Sequence, residues 1–493
     1  MARIRTSARD AGKHSGEQYS QGFQYRDPEY IAVELGPWKN LGYGSGSEIM
    51  EQKDRISYLS NGIIKDGFIA PILADVEIIS SSYDTIIGMY EVTVGTTAYL
   101  LIFCRTAANT LKVAYSTTGA ISENTYATIA VTTDDHIRGF QWGNYFYFGS
   151  PGIATGLVRY TISTPAINEP ATAHGALYDL FLIDNNAISV EISSNTWLVS
   201  WSVDSLPEDW TGAGSGSKSY YDAKYLCTAP LSRYGIMVFD KYAERIEATG
   251  TADPSFMFSR IEGIAGGYSR DCVIAFANQV VYLDASRKLI SFNGDSSQII
   301  DYDTDVSYGA NPILFYLHHL ELLLLSFPIT TAGNPSLLYD VSMNKVGQIA
   351  TDPVNTVTFN NKLYLNYISG SSKYLATYDL VNLDSTVTTI TTPIVILGIF
   401  DFSEGTILES VDIYHRQIPY PSGLDLSISA YQDQAATYTS TSFTAPGLAT
   451  LYGGKYHTEV AGRGFNLTIS GGTWTNTAAI KKVVLNIRRQ KLV

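Results

Sequence analysis

From about residue 75 the chain repeats one grammar: short runs rich in Val, Ile, Leu, Phe and Tyr, broken by Asn-Gln, Asn-Asn, Asn-Gly or Gly-Asn. TAYLLIFCR is followed by LKVAYS, and IRGFQWGNYFYFGS by LVRYTIS. The pattern continues through ALYDLFLIDNNAISVEI, YGIMVFDKYAERIEAT, ILFYLHHLELLLLSF and TVTFNNKLYLNYIS. Runs of this length, bounded by such dipeptides, form strands and tight turns. Their centres fall near residues 100, 145, 180, 236, 275, 317 and 360, a spacing of roughly 40 residues, the period of four-stranded propeller blades. The physical reason is coverage: radial stacking buries both apolar faces of each sheet and leaves only short edges. The plainest unit is DCVIAFANQVVYLDASRKLISFNGDSSQII (271–300), where an apolar strand meets an Asn-Gln turn and VVYLD leads through Ser286 and Arg287 to LISFNG. The expectation is an irregular β-propeller of six or seven blades over residues 46–392.

Size and composition agree. At 493 residues the chain exceeds a single ordinary core, which stops growing near ~250–300 residues, whereas repeat folds grow by adding units. Hydrophobic residues make up 45% and charged residues 16%, the latter below the usual ~25%. The polar surface therefore falls to Ser, Thr, Asn, Gln and 35 tyrosines. Tyr, Thr, Val and Ile suit pleated, half-buried surfaces, so the fold class is all-β. A net charge of −14 opposes an electrostatic grip on nucleic acid, because duplex affinity comes from Lys and Arg neutralising phosphates. An acidic wall past which DNA slides is compatible with it.

The two ends read differently from the middle. Residues 1–45 are polar and Gly-rich with no sustained period, as in an extended arm ordered against neighbours. The opening MARIRTSARDAGKHSGEQYS lacks the apolar core of a secretory leader. The most apolar run, 313–327, contains His318, His319 and Glu321 and is too short to span a bilayer. Synthesis in a cytoplasm without membrane insertion is expected. After Pro393 the strands lengthen, and Phe465, Leu467, Ile469 with Val483, Leu485, Ile487 alternate as one inward face. A C-terminal β domain resembling a sandwich is expected over 393–493. Positive charge is local to the ends, in Arg3, Arg5, Arg9 and Lys13 and in Lys481, Lys482, Arg488, Arg489 and Lys491. Solvated termini explain both clusters. As functional residues, Arg3, Arg5, Arg9, Lys13, Arg488 and Arg489 are the candidate assembly contacts.

Motifs that carry chemistry are few. The seven histidines (14, 136, 174, 318, 319, 415, 457) fit no metal-ligand spacing, and neighbours such as His318 and His319 would point to opposite faces of a strand. Cys104, Cys227 and Cys272 are an odd number with no zinc spacing and read as small buried apolar residues. GYGSGS (42–47) lacks the lysine and helix of a phosphate loop. DYDTD (301–305) alternates carboxylates but lacks the glycine and distal glutamate of an EF-hand. Sialidase-type propellers carry Ser-x-Asp-x-Gly-x-x-Trp turns; the nearest match, Ser202 to Trp210, lacks the glycine and occurs once. Trp142, Tyr145, Tyr147, Trp197, Trp201 and Trp210 crowd one region and read first as inter-blade packing, second as a sugar platform. The expectation is a chain with no catalytic residues and no cofactor.

The stretch 195–300 resembles tail-tube, nozzle or hub proteins of short-tailed bacteriophages. NTWLVSWSVDSLPEDWTGAGS carries part of the likeness, followed by Phe239, Glu244 to Thr249, Gly250, Phe256 to Phe258, Gly266, Cys272 and the VVYLD…LISFNG unit. GRGFNLTISGGTWTNTAAIKKVVLNI resembles their closing sheet, and KNLGYGSGSEIMEQKDRISYLSNGIIKDGFIAPI their opening segment. Asp284 to Leu289 departs from the Gly-containing turn expected there. The resemblance implies a structural virion protein in a homo-oligomeric, sixfold ring below the portal. It would extend and close the DNA exit channel, let genomic DNA pass without specific binding, and contact portal or adaptor and fibre or spike proteins. Closing rings need heterologous interfaces, and low charge with abundant Tyr suits them. The rivals are a carbohydrate-binding propeller of the virion and a propeller glycoside hydrolase, whose carboxylate pair needs a defined separation.

Overall fold

The computed structural model describes residues 29–41 and most of 55–489. Residues 78–84, 302–311, 329–335, 380–393, 416–424, 432–438 and 471–479, and interruptions of one to four residues, lie outside the described residues. The chain divides into two units, one of residues 76–336 and 351–378, the other of residues up to 75, 337–350 and 379 onward.

The first of these is a β-propeller. Five four-stranded antiparallel sheets, blades 1 to 5, follow one another over 85–130, 138–168, 177–220, 225–261 and 273–301, each paired in simple chain order. Blade 6 supplies the hairpin of Ile313–Leu317 and Leu322–Ser326. Blade 7 supplies Pro353–Phe359, Lys362–Ser369 and Ser372–Asp379. First strands pack on first strands: Arg138–Trp142 on Leu177–Ile183, then Tyr225–Leu231, Val273–Phe276, Ile313–Leu317 and Pro353–Phe359, which reaches back to Thr85–Val94. With blades 1 and 2 joined by the Ile137 N–H donating to the Ile87 carbonyl (2.9 Å) and by a shared buried cluster, that last contact closes a circle of seven. Asn355 Nδ2 donates to the Ile86 carbonyl across it (2.8 Å), and Ile86, Met89 and Ile102 share a buried cluster with Val357, Phe359 and Leu375.

Because each sheet is covered on both faces, second strands are buried at consecutive rather than alternate positions, as in Phe146 to Gly149 and Leu322–Ser326. Aromatic rings fill the wedges. Phe103, Phe146, Phe148 and Tyr160 join blades 1 and 2. Trp197, Tyr220, Tyr225 and Phe239 join blades 3 and 4. Each such ring removes enough apolar surface from water to contribute about 1.5–3 kcal/mol.

The other unit is built on two long antiparallel strands, Ile394–His415 and Gly453–Ser470, in register from Val395↔Ile469 to Tyr414↔Gly453. The register shift between Asp401 and Thr406 marks a change of neighbours. On one side of it, Tyr58–Ser60 and Asp425–Tyr431 flank the pair. On the other, Ile480–Arg489 does, with Glu29–Leu35 added outside it from Glu29↔Arg489 to Leu35↔Val483. Two sheet halves thus share the same long strands, with Leu426, Ile428, Phe465, Leu467, Val483 and Leu485 buried.

This division differs from the one expected. Glu29–Leu35, inside the segment 1–45 read as an arm, is a seven-residue strand, because Ile31, Val33 and Leu35 form one face opposite Ile487, Leu485 and Val483. The propeller unit begins at 76 rather than 46, and residues 337–350 are counted outside it. His318 and His319 sit in a 3-10 turn, His318–Leu320, closed by Glu321 with φ +51°, not on a strand. At the turn where the resemblance to phage proteins implies a glycine, Arg287 adopts φ +63° and Asp284 Oδ1 accepts the Lys288 N–H (2.7 Å).

Candidate functional site

Propellers present a natural site where the first strands converge on the axis, and here that position holds charged side chains. Arg138 opens the first strand of blade 2. Arg270 and Asp271 precede the first strand of blade 5, and His136 lies in the linker after blade 1. Arg138 Nη2 donates to Asp271 Oδ1 (2.8 Å) and to the Arg270 carbonyl (3.3 Å). Arg270 Nη2 donates to the carbonyls of His136 (3.0 Å) and Tyr178 (2.6 Å), with its guanidinium 4.7 Å from the Tyr178 ring centre. His136 Nδ1 lies 3.4 Å from Asp271 Oδ1, and Tyr90 Oη donates to the Ile137 carbonyl (2.7 Å).

A second carboxylate sits alongside. Asp179 Oδ2, on blade 3, accepts the Tyr225 hydroxyl (2.5 Å) and the Thr228 N–H (3.1 Å) of blade 4. Burial, then Asp179, push the Tyr225 phenol well above its ordinary value, so it remains the donor. Burial by itself would raise the Asp271 carboxyl, but His136, Arg138 and Arg270 outweigh it and hold the group well below the usual carboxylate range. Two arginines face two aspartates, so the axis is close to neutral. Arg138 and Arg270 each keep a buried Nε–H without an acceptor. Five of the seven blades are bound together through this cluster, and chemically it is a brace.

None of these residues stood out in the sequence. The available signal was charge abutting an apolar strand, in Ile137-Arg138 and Arg270-Asp271-Cys272, but spacing does not reveal that residues more than a hundred positions apart meet on an axis.

The region of Ser202 to Trp210 proves to be a strap. Glu208 Oε1 accepts Tyr147 Oη (2.8 Å) and Arg159 Nη1 (2.6 Å), tying blade 3 to blade 2. Ser202 Oγ accepts the Ala187 N–H (3.0 Å), and Asp209 Oδ1 caps Thr211 and Gly212. Trp210 packs with Phe140, Tyr147 and Leu177 and stands edge-on to His174 at 4.3 Å. His174 Nδ1 is 2.9 Å from Glu191 Oε1. The aromatic cluster follows its packing expectation: Trp197 is 7% exposed, Trp201 Nε1 donates to the Gly214 carbonyl, and Tyr147 stacks on Phe140.

The remaining sequence candidates fall as follows. Cys104, Cys227 and Cys272 are buried, and burial raises the thiols of Cys227, to about 12, and Cys272. Arg488 lies 3.2 Å from Glu409 and beside Tyr30, and Arg489 is opposite Glu29 and Thr406. Lys482 bonds Glu34 (3.0 Å). Arg3, Arg5, Arg9 and Lys13, GYGSGS, and DYDTD beyond Asp301 lie outside the described residues.

No family model and no curated protein matches the chain. Among solved structures it is similar to a chain of the Mitotic Checkpoint Complex, at 12% identity over 66% of this chain and 94% of that one, with a TM-score of 0.42. It is also similar to YCF48 bound to D1 peptide, at 8% identity over 64% and 97%, TM-score 0.42. A puromycin-hydrolyzing peptidase of Mycobacterium tuberculosis matches at 9% identity over 67% of this chain and 61% of that one, TM-score 0.41. The propeller assignment rests on this chain's own sheet order and the circle of first strands.

Proposed function

We propose that this chain is a structural, non-catalytic component of a bacteriophage tail: a nozzle or hub subunit, standing in a ring with copies of itself below the portal. In this role it extends and closes the DNA exit channel and mounts fibres or a spike. The observation that carries the reading is the axial cluster. Its carboxylates and guanidiniums are engaged with neighbouring blades, which suits a part that bears load more than one that turns over substrate. The likeness of 195–300 to nozzle and hub proteins supports the same reading, as does the net charge of −14, which keeps a passing duplex from sticking.

The test is imaging. Purified full-length chain is examined by mass photometry and negative-stain microscopy, and a gold-labelled version is located in tailed particles. Rings, and label at the portal-distal end of the tail, are expected. A chain that stays monomeric, is missing from particles, and hydrolyses a glycan with loss of turnover on one carboxylate substitution would overturn the proposal.

A further inference from the structure

Blade 4 carries an unfinished face. Leu231, Tyr234, Glu247 and Met257 are opposite one another across its four strands, Leu231↔Tyr234, Tyr234↔Glu247 and Glu247↔Met257, so they form one transverse row on one face of the sheet. The next row on that face, Ala229, Ile236, Arg245 and Ser259, begins the contact with blade 5: Ala229 and Ile236 share a buried cluster with Val273, Val280 and Tyr282. In the outer row the covering is incomplete: Leu231 and Tyr234 pack only partly against that cluster. The outer row lines an open cavity of about 650 Å³ together with Arg233 and Thr249, and Met257 is 57% exposed there.

The charges of this slot are unequal. Glu247 Oε2 is already matched by Arg245 Nη2 at 3.0 Å, and Arg245 lies over the Tyr234 ring at 4.4 Å. Arg233 binds through its backbone, its carbonyl accepting the Ala248 N–H (3.0 Å), and its guanidinium faces the cavity with no carboxylate of its own among the described residues. An apolar row that continues a core face wants an aliphatic side chain. A free guanidinium beside it wants a carboxylate, which it can take in a two-pronged hydrogen bond.

We propose that this slot is a docking site for a short peptide segment of a protein partner, in which an acidic residue is flanked by aliphatic ones. The aliphatic side chains lie on Leu231, Tyr234 and Met257, and the carboxylate is taken by Arg233. The inference holds whether or not the chain belongs to a phage tail.

The full chain, labelled with 13C at its methionine methyls, is titrated with acetyl-Leu-Glu-Leu-amide, acetyl-Leu-Lys-Leu-amide and acetyl-Ser-Glu-Ser-amide. The Met257 signal is assigned with Met257→Leu. The acidic aliphatic peptide is expected to shift the Met257 signal saturably, half-saturating near about 1 mM, an affinity modest enough for so small a contact. The other two peptides leave it in place. Arg233→Met weakens the binding by about tenfold and Arg233→Lys by less, the loss of a charge-assisted pair, with the other methionine signals unchanged as the check on folding. A Met257 signal that does not move, one that moves equally with the lysine peptide, or binding unaffected by Arg233→Met overturns the proposal.

Discussion

Replacing Asp271 by alanine removes the carboxylate on which the axial cluster converges, and the cost can be worked from its contacts. Arg138 loses its 2.8 Å ion pair and His136 its 3.4 Å neighbour, while Arg270 stays 9% exposed with less negative charge beside it. Stripping one partner from a fully buried pair costs about 3–5 kcal/mol. Asp271 and Arg138 keep 22% and 27% of their side-chain surface, so solvent screens part of this and about 3 kcal/mol is expected. Since the chain has two units, a single unfolding free energy is not defined, and hydrogen exchange resolved by peptide is the right assay. A loss of 3 kcal/mol is about 150-fold faster exchange. It should appear in the first strands of blades 2, 3 and 5 together, because the cluster joins them. The double variant Arg138→Met with Asp271→Leu should recover most of the protection, since an apolar pair of similar volume replaces a buried ion pair at little cost. Exchange that accelerates in Val273–Phe276 alone, with Arg138–Trp142 and Leu177–Ile183 unchanged, would refute the cross-axis brace.

Tyr225→Phe takes one of the interblade donors from Asp179 and should cost about 1.5–3 kcal/mol, read as faster exchange in Tyr225–Leu231; an unchanged strand would mean the bond contributes nothing net. Gly266→Ala should destabilise locally by about 3 kcal/mol, since a Cβ there would lie 2.2 Å from the Asp240 backbone, whereas Gly263→Ala, with open space and φ +76°, should cost only about 1 kcal/mol; comparing hydrogen exchange in the strands flanking each turn decides. Two pH effects of opposite sign are expected. Burial outweighs the Ser336 hydroxyl and raises the Asp352 carboxyl to about 6, above its unfolded value of about 3.9. The folded chain therefore holds a proton the unfolded chain does not between about pH 4 and 6, and stability should fall as pH rises through that window and flatten in Asp352→Asn. Asp271 is depressed instead, so its contribution is present above about pH 4 and fades as acid is added; Asp271→Asn should show a shallower acid loss of exchange protection in Arg138–Trp142 below pH 4, after correction for intrinsic exchange rates.

Much of the architecture was readable because a propeller writes its period into the chain. Residues 100, 145, 180, 236, 275 and 317 all fall in the first or second strand of a blade, while residue 360 marks the turn between the first two strands of the seventh. Which strand is innermost was not legible, since both inner strands are apolar and buried. The C-terminal strands showed their alternation at Phe465 to Ile469 and Val483 to Ile487. Their partner Glu29–Leu35 did not, because a strand whose mate lies some 450 residues away carries no local turn signal. The axial cluster was invisible for the same reason. His136, Arg138, Arg270 and Asp271 are ordinary polar residues at the ends of apolar runs, and only the closing of the circle makes them neighbours. The aromatic crowd from Trp142 to Trp210 was visible and its packing role followed from what strands do with large rings.

The pairing of Glu29–Leu35 with Ile480–Arg489 has a consequence for synthesis. Translation delivers the former about 450 residues ahead of the latter, with every propeller blade in between. Until its mate emerges, the earlier strand has a hydrophobic face and nothing to zip onto. Blades 1 to 5 can fold as they emerge, since each is a local meander. The other unit must wait until Ile480–Arg489 has emerged, which makes its incomplete state the one most in need of a chaperone.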